Sequence, residues 1–525
     1  MFLSKLYSIN NFKYMNDLYY VIRRTAVYHS SQKNVSRKHI SSDLLENAFD
    51  SISVNKPTDW NDIHDFVLNH EENKENICNK INIDGLIMKW CVQNNKTSYA
   101  ESYITYLRQS DKEINLATFG LYLRSICQSN LVKLEPEKET EIIQMCTDLK
   151  NGHPVLDSIT LEDIICALSL THKWEDCIPL LEEVKLTKTI STRAYSFVIS
   201  AAFLNNNEKL AWALANELLE LDREPLSMVY LSYLKSIKKL EKGGNIVEKL
   251  EILFDFFKRN GLICREDVAK ELLLYRNTSN VLVKFSGFCN VCKTKLTKME
   301  LTDDEFSELK EVFLKNVIIG QDIFIKSDPL EMGQFKEFVT NLGKFDVILD
   351  GLNIAYSVGT NKGTQVFSKL VASVISYFVQ QKKSVLMLGR THMNKWPKSN
   401  WNYIKNNCTI FLAKDISQDD PYLLYCALHS GPKTIIVTRD QMRGHRHLLK
   451  DRKYKMLFTK WLGQRQYELL TFNKNDKPIF RIPPHFSTIA QNSENIWHIP
   501  YKSQDKNNSI NDNYHKNWVC LKLEK

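Results

Sequence analysis

The chain lacks any run of eighteen or more apolar residues, which is about the length that a helix needs to cross a bilayer. Its longest apolar-rich stretch, 366–379, is interrupted by Ser368 and Lys369, as is typical of an amphipathic helix. We therefore expect no membrane-spanning helix. With 525 residues, of which 43% are hydrophobic and 11% aromatic, the composition predicts a folded protein of about two to four domains.

Acidic residues are nearly missing from positions 1–42, where Asp17 is the single acid beside seven lysines and arginines. This cationic, serine-bearing composition is typical of a mitochondrial transit peptide. A secretory signal is disfavoured, because no apolar core is followed by a small-residue cleavage site; a disordered basic tail is the alternative. Since this segment supplies six of the nine net positive charges, net charge is weak support for nucleic-acid binding by the rest.

The twelve cysteines lack the secretory context in which disulfide frameworks form. Most stand singly in apolar helical segments, where a cysteine acts as a small buried hydrophobe. Cys289 and Cys292 are different, because their Cys-x-x-Cys spacing is typical of half a structural zinc site. A redox pair is the alternative, but redox pairs open a helix after a strand in a thioredoxin-like unit, and no such unit is predicted here.

The remaining ligands of such a zinc site must come from a distant segment, because no other cysteine lies near the pair. Cys520 is the expected third ligand. For the fourth, His498, His515 and His485 compete, and we favour His498 because its surroundings are strand-like and aromatic.

Strand signals are almost missing between residues 82 and 258, where predicted helices follow one another in pairs. First helices are expected near residues 82, 116, 160, 192 and 226, and this spacing of about 32 to 34 residues, with one longer interval, is typical of a helical solenoid. The period fits both tetratricopeptide arrays and RNA-binding pentatricopeptide arrays. Pro179, inside a predicted second helix, should kink that helix unless it lies in the first turn.

From about 340 to 480 the pattern changes to alternating strands and helices, which predicts a parallel sheet covered by helices on both faces. Strands are expected at 346–349, 384–388, 409–412 and 433–437, and helices at 364–382, 421–429 and 442–449.

Four aspartates stand at the predicted ends of these strands. Asp350 closes the first strand, Asp419 and Asp420 follow the third, and Asp440 ends the fourth. Because the carboxyl ends of parallel strands meet at one edge of a sheet, the four carboxylates are expected to lie together. Their repulsion requires a cation, and oxygen ligands suit Mg²⁺ or Mn²⁺, which can activate water for phosphodiester hydrolysis.

Each aspartate also has a structural interpretation, since a single aspartate after a strand is often a helix N-cap and Asp-Gly is a common turn. The joint arrangement favours the metal site. Gly351 would allow close backbone approach, and Asn353 could orient a water or a phosphate. Arg439 and Arg443 could bind phosphate, and His445 could sense or donate a proton, although a surface salt bridge and a histidine on a helix face explain them equally well. The same two interpretations apply to Arg390 and His392 at another strand end.

The order of these motifs is specific. Helical repeats are followed by Cys-x-x-Cys, Asp-Gly-Leu-Asn at 350–353, Asp-Asp at 419–420, Thr-Arg-Asp at 438–440 and a late Trp-His-Ile-Pro at 497–500 before Cys520. From about residue 80 to its end, the chain resembles protein-only ribonuclease P, the pentatricopeptide tRNA-processing nucleases. With its leader it resembles the animal mitochondrial enzymes of that family.

The resemblance implies four parts along the chain. A transit peptide at 1–42 would precede a pentatricopeptide solenoid at 80–260, and a central zinc-binding domain would be split between 261–338 and 485–525. An NYN-type, PIN-like metallonuclease domain would occupy 339–484. The implied magnesium ligands are Asp350, Asp419, Asp420 and Asp440, and the implied zinc ligands are Cys289, Cys292, His498 and Cys520.

The resemblance also implies an activity, which is removal of the 5′ leader of precursor tRNA by a metal-activated water, leaving a 5′ phosphate on the tRNA. A tRNA methyltransferase and a short-chain dehydrogenase are implied as protein partners, in the mitochondrial matrix and without a membrane. Because the repeats are irregular, we expect recognition of tRNA shape over sequence. Two rival hypotheses are another mitochondrial RNA endonuclease and a non-catalytic RNA-binding repeat protein, the second disfavoured by the complete set of four aspartates.

Overall fold

The computed structural model describes residues 43–52, 59–70, 73, 78–110, 114–129, 134–153, 155–186, 189–239, 245–298, 300–315, 334–335, 337–339, 341, 343–413, 420–503 and 517–523. The predicted transit peptide lies outside these residues. Two compact units divide the chain, Met1–Asn216 and Glu217–Lys525. In the described part of the chain, no helix has the length and apolar character needed to cross a membrane.

The first unit is helical. Its main helices are Asp59–Asn69, Ile83–Gln93, Thr97–Gln109, Leu116–Ser129, Pro136–Gly152, Ser158–Leu168, Cys177–Lys185, Thr192–Leu204 and the start of Glu208–Glu220. The observed starts at Ile83, Leu116, Ser158 and Thr192 confirm the predicted repeat within two residues. Local capping explains two of them, because the side chains of Asp157 and Ser191 accept hydrogen bonds from the first-turn N–H groups.

Pro179 lies in the first turn of the helix Cys177–Lys185. A proline there has no intrahelical N–H bond to lose, so the helix continues without the kink that an interior proline would cause. Cys177, Leu180, Leu181 and Val184 form the buried face of this helix, as its apolar spacing predicts.

Successive first helices of the repeats are linked by a buried carboxylate. The side chain of Asp163 is 2% exposed and forms ion pairs with Arg124 of the preceding first helix and Arg193 of the following one. The Arg124 Nη2–Asp163 Oδ2 distance is 2.8 Å. Because a buried charge is stable only when it is paired, this carboxylate fixes the spacing of three neighbouring repeats.

The second unit begins with further helices, Ser227–Lys239, Ile246–Asn260 and Glu266–Leu272. The same unit contains five strands of one sheet, which are β1 (Cys264–Arg265), β2 (Thr278–Leu282), β9 (Gln491–Ser493), β10 (Ile496–Lys502) and β11 (Asn517–Lys522). Their order in the sheet is β1-β10-β11-β2, with β9 paired to β10. The strands of this sheet therefore come from two parts of the chain, which precede and follow in sequence the α/β segment described next.

The α/β segment has a six-stranded sheet, whose strands are β3 (Val347–Asp350), β4 (Val385–Arg390), β5 (Thr409–Ala413), β6 (Ile435–Val437), β7 (Gln466–Phe472) and β8 (Pro478–Arg481). Their order is β5-β4-β3-β6-β7-β8, and all are parallel except for β8. The helices of this segment are Asp303–Phe313, Gly351–Ala355, Thr364–Val379, Lys398–Asn407, Asp420–Ser430, Arg443–Leu448 and Arg452–Arg465.

The parallel sheet is covered on both faces, as predicted. Alternate residues of β3 enter two different cores: Ile348 packs with Tyr422 and Trp461, whereas Val347 and Leu349 pack against the opposite helices. All four residues of β3 are buried, which is typical of a central parallel strand. All four predicted strands and all three predicted helices are present with ends shifted by at most three residues; β7, β8 and four of the helices were not predicted.

Candidate active site and metal cluster

The two central strands of the parallel sheet create a crevice. From β3 the chain continues to β4 and β5 on one side, and then returns to place β6 on the other side of β3. At such a switch point the connections leave the two neighbouring strands in opposite directions, which opens a crevice at their carboxyl ends. Asp350 is the last residue of β3, and Asp440 follows the end of β6 by three residues. Both therefore stand at this crevice.

Asp350 is held by the helix that it starts. Its Oδ1 accepts a hydrogen bond from the N–H of Asn353, 3.0 Å away, so it is the N-cap of the helix Gly351–Ala355. The next residue must be small, because a Cβ on Gly351 would lie 2.7 Å from the carbonyl oxygen of Leu388 on β4. The carboxylate is 8% exposed. Asp350 can therefore be both a helix N-cap and a metal ligand, since the capping bond holds its carboxylate at the carboxyl end of β3, where the crevice lies.

Thr438 connects the two aspartates. Its hydroxyl donates to Asp350 Oδ2 at 3.1 Å and accepts from the N–H of Asp440 at 3.2 Å. Thr438 is 1% exposed, so neither bond competes with bulk water. One side chain thereby fixes the buried carboxylate of β3 relative to the backbone of the more exposed Asp440.

Asn353 and Gln466 strengthen the same connection. The side-chain oxygen of Asn353 accepts from the N–H of Arg439 at 3.0 Å. From β7, Gln466 Nε2 donates to the carbonyl oxygens of Thr438 at 3.0 Å and Asp440 at 2.8 Å. The segment 438–440 is therefore held from both sides, and the side-chain oxygen of Asn353 orients its backbone; a contact of Asn353 with water or phosphate stays a prediction.

Thr438 and Gln466 were missed by the sequence analysis. Thr438 lies inside the Thr-Arg-Asp motif and could have been suspected from that alone. Gln466 carries no such signal, because its contact depends on the pairing of β6 with β7.

The other predicted residues have mixed positions. Asp420 is the first residue of the helix Asp420–Ser430, while the side chain of Asp420 and the whole of Asp419 lie outside the described part of the structure. Arg439 Nη1 donates to the carbonyl oxygen of Ser357 at 3.3 Å, and Arg443 donates to Gln441. His445 is half-buried on the helix that follows Asp440. At the end of β4 stands Arg390, and His392 lies in the short helix after it.

The cysteine pair and its predicted partners lie together. One ligand atom from each of Cys289, Cys292, His498 and Cys520 lies within 4.8 Å of the others. Strand pairing explains half of this geometry, because His498 on β10 is directly opposite Cys520 on β11. Cys292 Sγ lies 3.3 Å from His498 Nε2.

The cysteine pair lies in a tight turn. The N–H of Cys289 donates to the carbonyl oxygen of Thr294 at 2.9 Å, and the N–H of Lys293 donates to that of Cys289 at 3.1 Å. Lys293 has a φ of +63°, the left-handed conformation that closes the turn. Of the two competing histidines, His485 packs edge-on against Phe285, outside the cluster, and His515 lies outside the described residues.

Burial changes the pKa values of these side chains in ways that favour binding of a metal ion. It lowers the pKa of His498 to about 4, so the imidazole is neutral at physiological pH and can bind a metal through nitrogen. Burial also raises the pKa of Cys520, with the neighbouring thiols adding to the effect, so a cation is needed to stabilise its thiolate. Three sulfurs and one imidazole fit tetrahedral Zn²⁺, with no position left for substrate.

A family model described as protein-only RNase P matches residues 283–520. The matched region includes both halves of the Cys/His cluster and all four candidate aspartates. The mitochondrial ribonuclease P catalytic subunits of Rattus norvegicus and Mus musculus are each 28% identical to the chain over 397 residues, covering 73% of this chain and 67% of theirs. Residues 283–520 of the chain are therefore similar to the protein-only ribonuclease P family.

The crystal structure of nuclear proteinaceous RNase P 2 from Arabidopsis thaliana agrees in fold. It superposes with a TM-score of 0.55 at 15% sequence identity, covering 85% of this chain and all of that one. The predicted fold class, a helical repeat region with an α/β nuclease domain, is therefore confirmed. Its similarity to ribonuclease P proteins identifies the chain as an endoribonuclease, and its aspartate crevice is the candidate site of catalysis.

Proposed function

We propose that this protein removes the 5′ leader of precursor tRNA in mitochondria, using Asp350, Asp419, Asp420 and Asp440 as ligands of catalytic Mg²⁺ or Mn²⁺. The main support is that Asp350 and Asp440 both lie at the switch point of the parallel sheet, where the hydroxyl of Thr438 connects them. The names of the rat and mouse relatives, mitochondrial ribonuclease P catalytic subunits, support the substrate and the compartment.

The donor set suits this chemistry. Carboxylate oxygens are the ligands that Mg²⁺ and Mn²⁺ prefer, and Asp350 is both buried and oriented by two hydrogen bonds. When bound, such ions supply an activated water for attack on a phosphodiester and neutralise the charge that develops on it. The chain's own contribution is to hold the carboxylates of β3 and β6 in one fixed arrangement, so that no reorganisation is needed during the reaction.

Zinc has a separate proposed role. We assign Zn²⁺ to Cys289, Cys292, His498 and Cys520, where it would tie the Cys-x-x-Cys turn to β10 and β11. All four ligand positions would be filled by protein, so the ion would stabilise the fold without acting on RNA. The predicted domain limits, with the repeats ending at 260 and the zinc domain split around 339–484, belong to the same proposal.

Protein partners complete the proposal. The named relatives are subunits, and we propose that this chain, too, works with a tRNA methyltransferase and a short-chain dehydrogenase in the mitochondrial matrix. Adding the two purified partners should raise the cleavage rate of the full chain. Fusing residues 1–42 to a reporter protein should direct the reporter to mitochondria, and a cytosolic reporter would contradict the proposed location.

The substrate proposal is tested with a leader-bearing mitochondrial precursor tRNA, the full chain with and without the two partners, and Mg²⁺. We expect one cut at the leader junction and a tRNA product that carries a 5′ phosphate, detected by a 5′-monophosphate-dependent exonuclease. Cuts scattered through single-stranded RNA would instead support a general endonuclease. Binding of the precursor without any cut would support a non-catalytic repeat protein, and either result overturns the proposal.

A further inference from the structure

An ion-pair cluster connects the helical part of the second unit to the segment that carries Asp440. Asp222 lies in the turn before the helix Ser227–Lys239. Both of its carboxylate oxygens accept from Arg446, with Nη2–Oδ1 at 2.9 Å and Nη1–Oδ2 at 3.2 Å. Lys455 Nζ lies 3.5 Å from Oδ2. The contact with Arg446 is a two-pronged pair, the strongest geometry for arginine and a carboxylate.

This cluster differs from an ordinary surface ion pair. Lys455 is only 7% exposed, and a buried ammonium group is stable only beside a negative charge. Partial burial acts to raise the pKa of Asp222, but the hydrogen bonds and charges of Arg446 and Lys455 outweigh it and hold that pKa below its ordinary value. The carboxylate is therefore ionised at physiological pH.

Arg446 is fixed on a second side as well. Its Nε donates to the hydroxyl of Thr459 at 3.1 Å, on the helix Arg452–Arg465 that also carries Lys455. The guanidinium thus joins its own short helix, Arg443–Leu448, to that longer helix and to the Asp222 turn.

The short helix needs such support. It has six residues, its N-cap makes no side-chain hydrogen bond, and none of its six residues is buried. A helix of this length is not stable by itself in water, so tertiary contacts decide where it lies. The ion pair of Arg446 with Asp222 is one such tertiary contact.

The position of this helix affects Asp440 directly. Two residues separate Asp440 from the helix. One of them, Met442, is buried, and its backbone has the left-handed conformation with a φ of +52°. The N–H of Met442 donates to Asp440 Oδ1 at 2.5 Å. A shift of the helix would move Met442 and, with it, the carboxylate of Asp440.

We infer that Asp222 is a positioning residue of the nuclease site: through Arg446 it holds the helix Arg443–Leu448, and so it fixes the carboxylate of Asp440. This inference rests on the proposed role of Asp440 as a metal ligand. Removing a residue that orients a metal ligand typically lowers the metal affinity about tenfold or more. Because Asp222 acts through two further residues, we expect an effect of about three- to tenfold.

The test compares Asp222→Asn with Glu308→Gln in the full chain. Asparagine tolerates the left-handed backbone that Asp222 adopts, with φ at +58°, so the turn is kept while the charge is lost. Glu308→Gln is the matched control, because Glu308 pairs with Lys453 on the same helix Arg452–Arg465 in an exposed position. Arg446→Gln breaks the cluster from the other side and replaces Asp222→Asn if that variant does not fold.

Two readouts are measured. The first is Mn²⁺ binding without RNA, followed by the paramagnetic resonance of free Mn²⁺, with Asp350→Asn as the background. The second is the Mg²⁺ concentration at half-maximal single-turnover cleavage of precursor tRNA. Asp222→Asn should weaken Mn²⁺ binding and raise the Mg²⁺ midpoint by about three- to tenfold, with unchanged precursor KM, while Glu308→Gln should match wild type.

The outcomes separate the inference from the proposed function. Wild-type Mn²⁺ affinity and Mg²⁺ midpoint in Asp222→Asn, or an equal change in Glu308→Gln, would overturn the inference. If the wild type binds Mn²⁺ but leaves precursor tRNA intact, the proposed substrate fails, and the Mn²⁺ comparison still decides the role of Asp222. A double variant, Asp222→Asn with Arg446→Gln, should be no worse than either single one, and additive losses would contradict a shared contact.

Discussion

The second unit contains two candidate metal sites that are built in opposite ways. The Cys/His cluster is closed: Cys289, His498 and Cys520 are at most 4% exposed, and paired strands bring two of its ligands face to face. The aspartate crevice is open, with Asp440 exposed in the loop between β6 and the helix Arg443–Leu448. The pairing of β3 with β6 ends at Leu349 and Val437, so beyond it the geometry depends on hydrogen bonds through Thr438 and Gln466.

The difference follows from what each ion has to do. A structural ion is stabilising when protein fills all of its positions and excludes water. A catalytic ion must keep positions for water and for substrate, so its ligands lie at an edge, and their orientation needs additional support. Variants at the two sites should therefore separate stability from catalysis.

The largest effect is expected from Asp350→Asn. Metal ions supply several kcal/mol of transition-state stabilisation in such reactions, so the single-turnover cleavage rate should fall about a thousandfold. The melting temperature should fall little, because the amide can still accept the N-cap hydrogen bond from Asn353. A variant that cleaves within tenfold of wild type would show that the crevice is not the catalytic site.

Among the variants considered, Cys520→Ser should lower the stability of the protein most. Loss of a structural metal is among the few single changes that cost about 4 kcal/mol or more, which corresponds to a fall in Tm of about 10 °C. Bound zinc, measured by elemental analysis, should fall from about one ion per chain to nearly none. The Mg²⁺ midpoint of the folded enzyme should not change.

Cys408→Ser is the matched control for the cluster. Its half-buried thiol donates to the carbonyl oxygen of Ile404, a bond that a serine hydroxyl can replace. Zinc content should match wild type in this variant. Equal zinc loss in both variants, or full zinc content in Cys520→Ser, would contradict the assignment of the cluster.

Thr438→Val should show that the aspartate site depends on hydrogen bonds. The change leaves the N–H of Asp440 and Oδ2 of Asp350 without their shared partner, and each lost buried bond costs about 1–3 kcal/mol. We expect a roughly tenfold slower single-turnover rate and a higher Mg²⁺ midpoint. The control is Thr434→Val, since Thr434 is equally buried but donates to the carbonyl oxygen of Phe345. Equal losses of rate in both variants would mean that the effect is one of stability.

Gln466→Leu should have the smallest effect. It removes two hydrogen bonds to the backbone of Thr438 and Asp440 at a partly exposed position, so the rate should fall about threefold. Gln381→Leu also loses a bond from a side-chain amide to a carbonyl, that of Tyr377, and should cleave at the wild-type rate. Equal rates in all three proteins would show that β7 does not help to fix the site.

Sequence patterns were sufficient for what depends on local periodicity. The spacing of the repeats, the central strands of the parallel sheet and the strand-end positions of Asp350 and Asp440 follow from alternation and helical period, and the structure has them. Within the cluster, the aromatic, strand-like surroundings of His498 correctly favoured it over His485, because β10 pairs with β11 there.

What the sequence could not predict depends on register and long-range contact. Gln466 reaches the segment 438–440 only because β7 pairs beside β6, and Asp222 reaches Arg446 across 224 positions of the chain. Neither residue has a motif of its own. Asn353 does lie in a recognisable motif, but the hydrogen bond from the N–H of Arg439 to its side chain depends on the long-range placement of the segment after β6 and could not be predicted either.

The central claim is that the aspartates of the crevice cleave precursor tRNA at its leader junction. It is tested most directly by single-turnover cleavage of a 5′-labelled mitochondrial precursor by wild type and by Asp440→Asn, each titrated with Mg²⁺ in the presence of both partner proteins. We expect wild type to release the intact leader in one cut and Asp440→Asn to be slower by about a hundredfold or more. Equal rates for the two proteins, or a wild-type cut away from the junction, would contradict the claim.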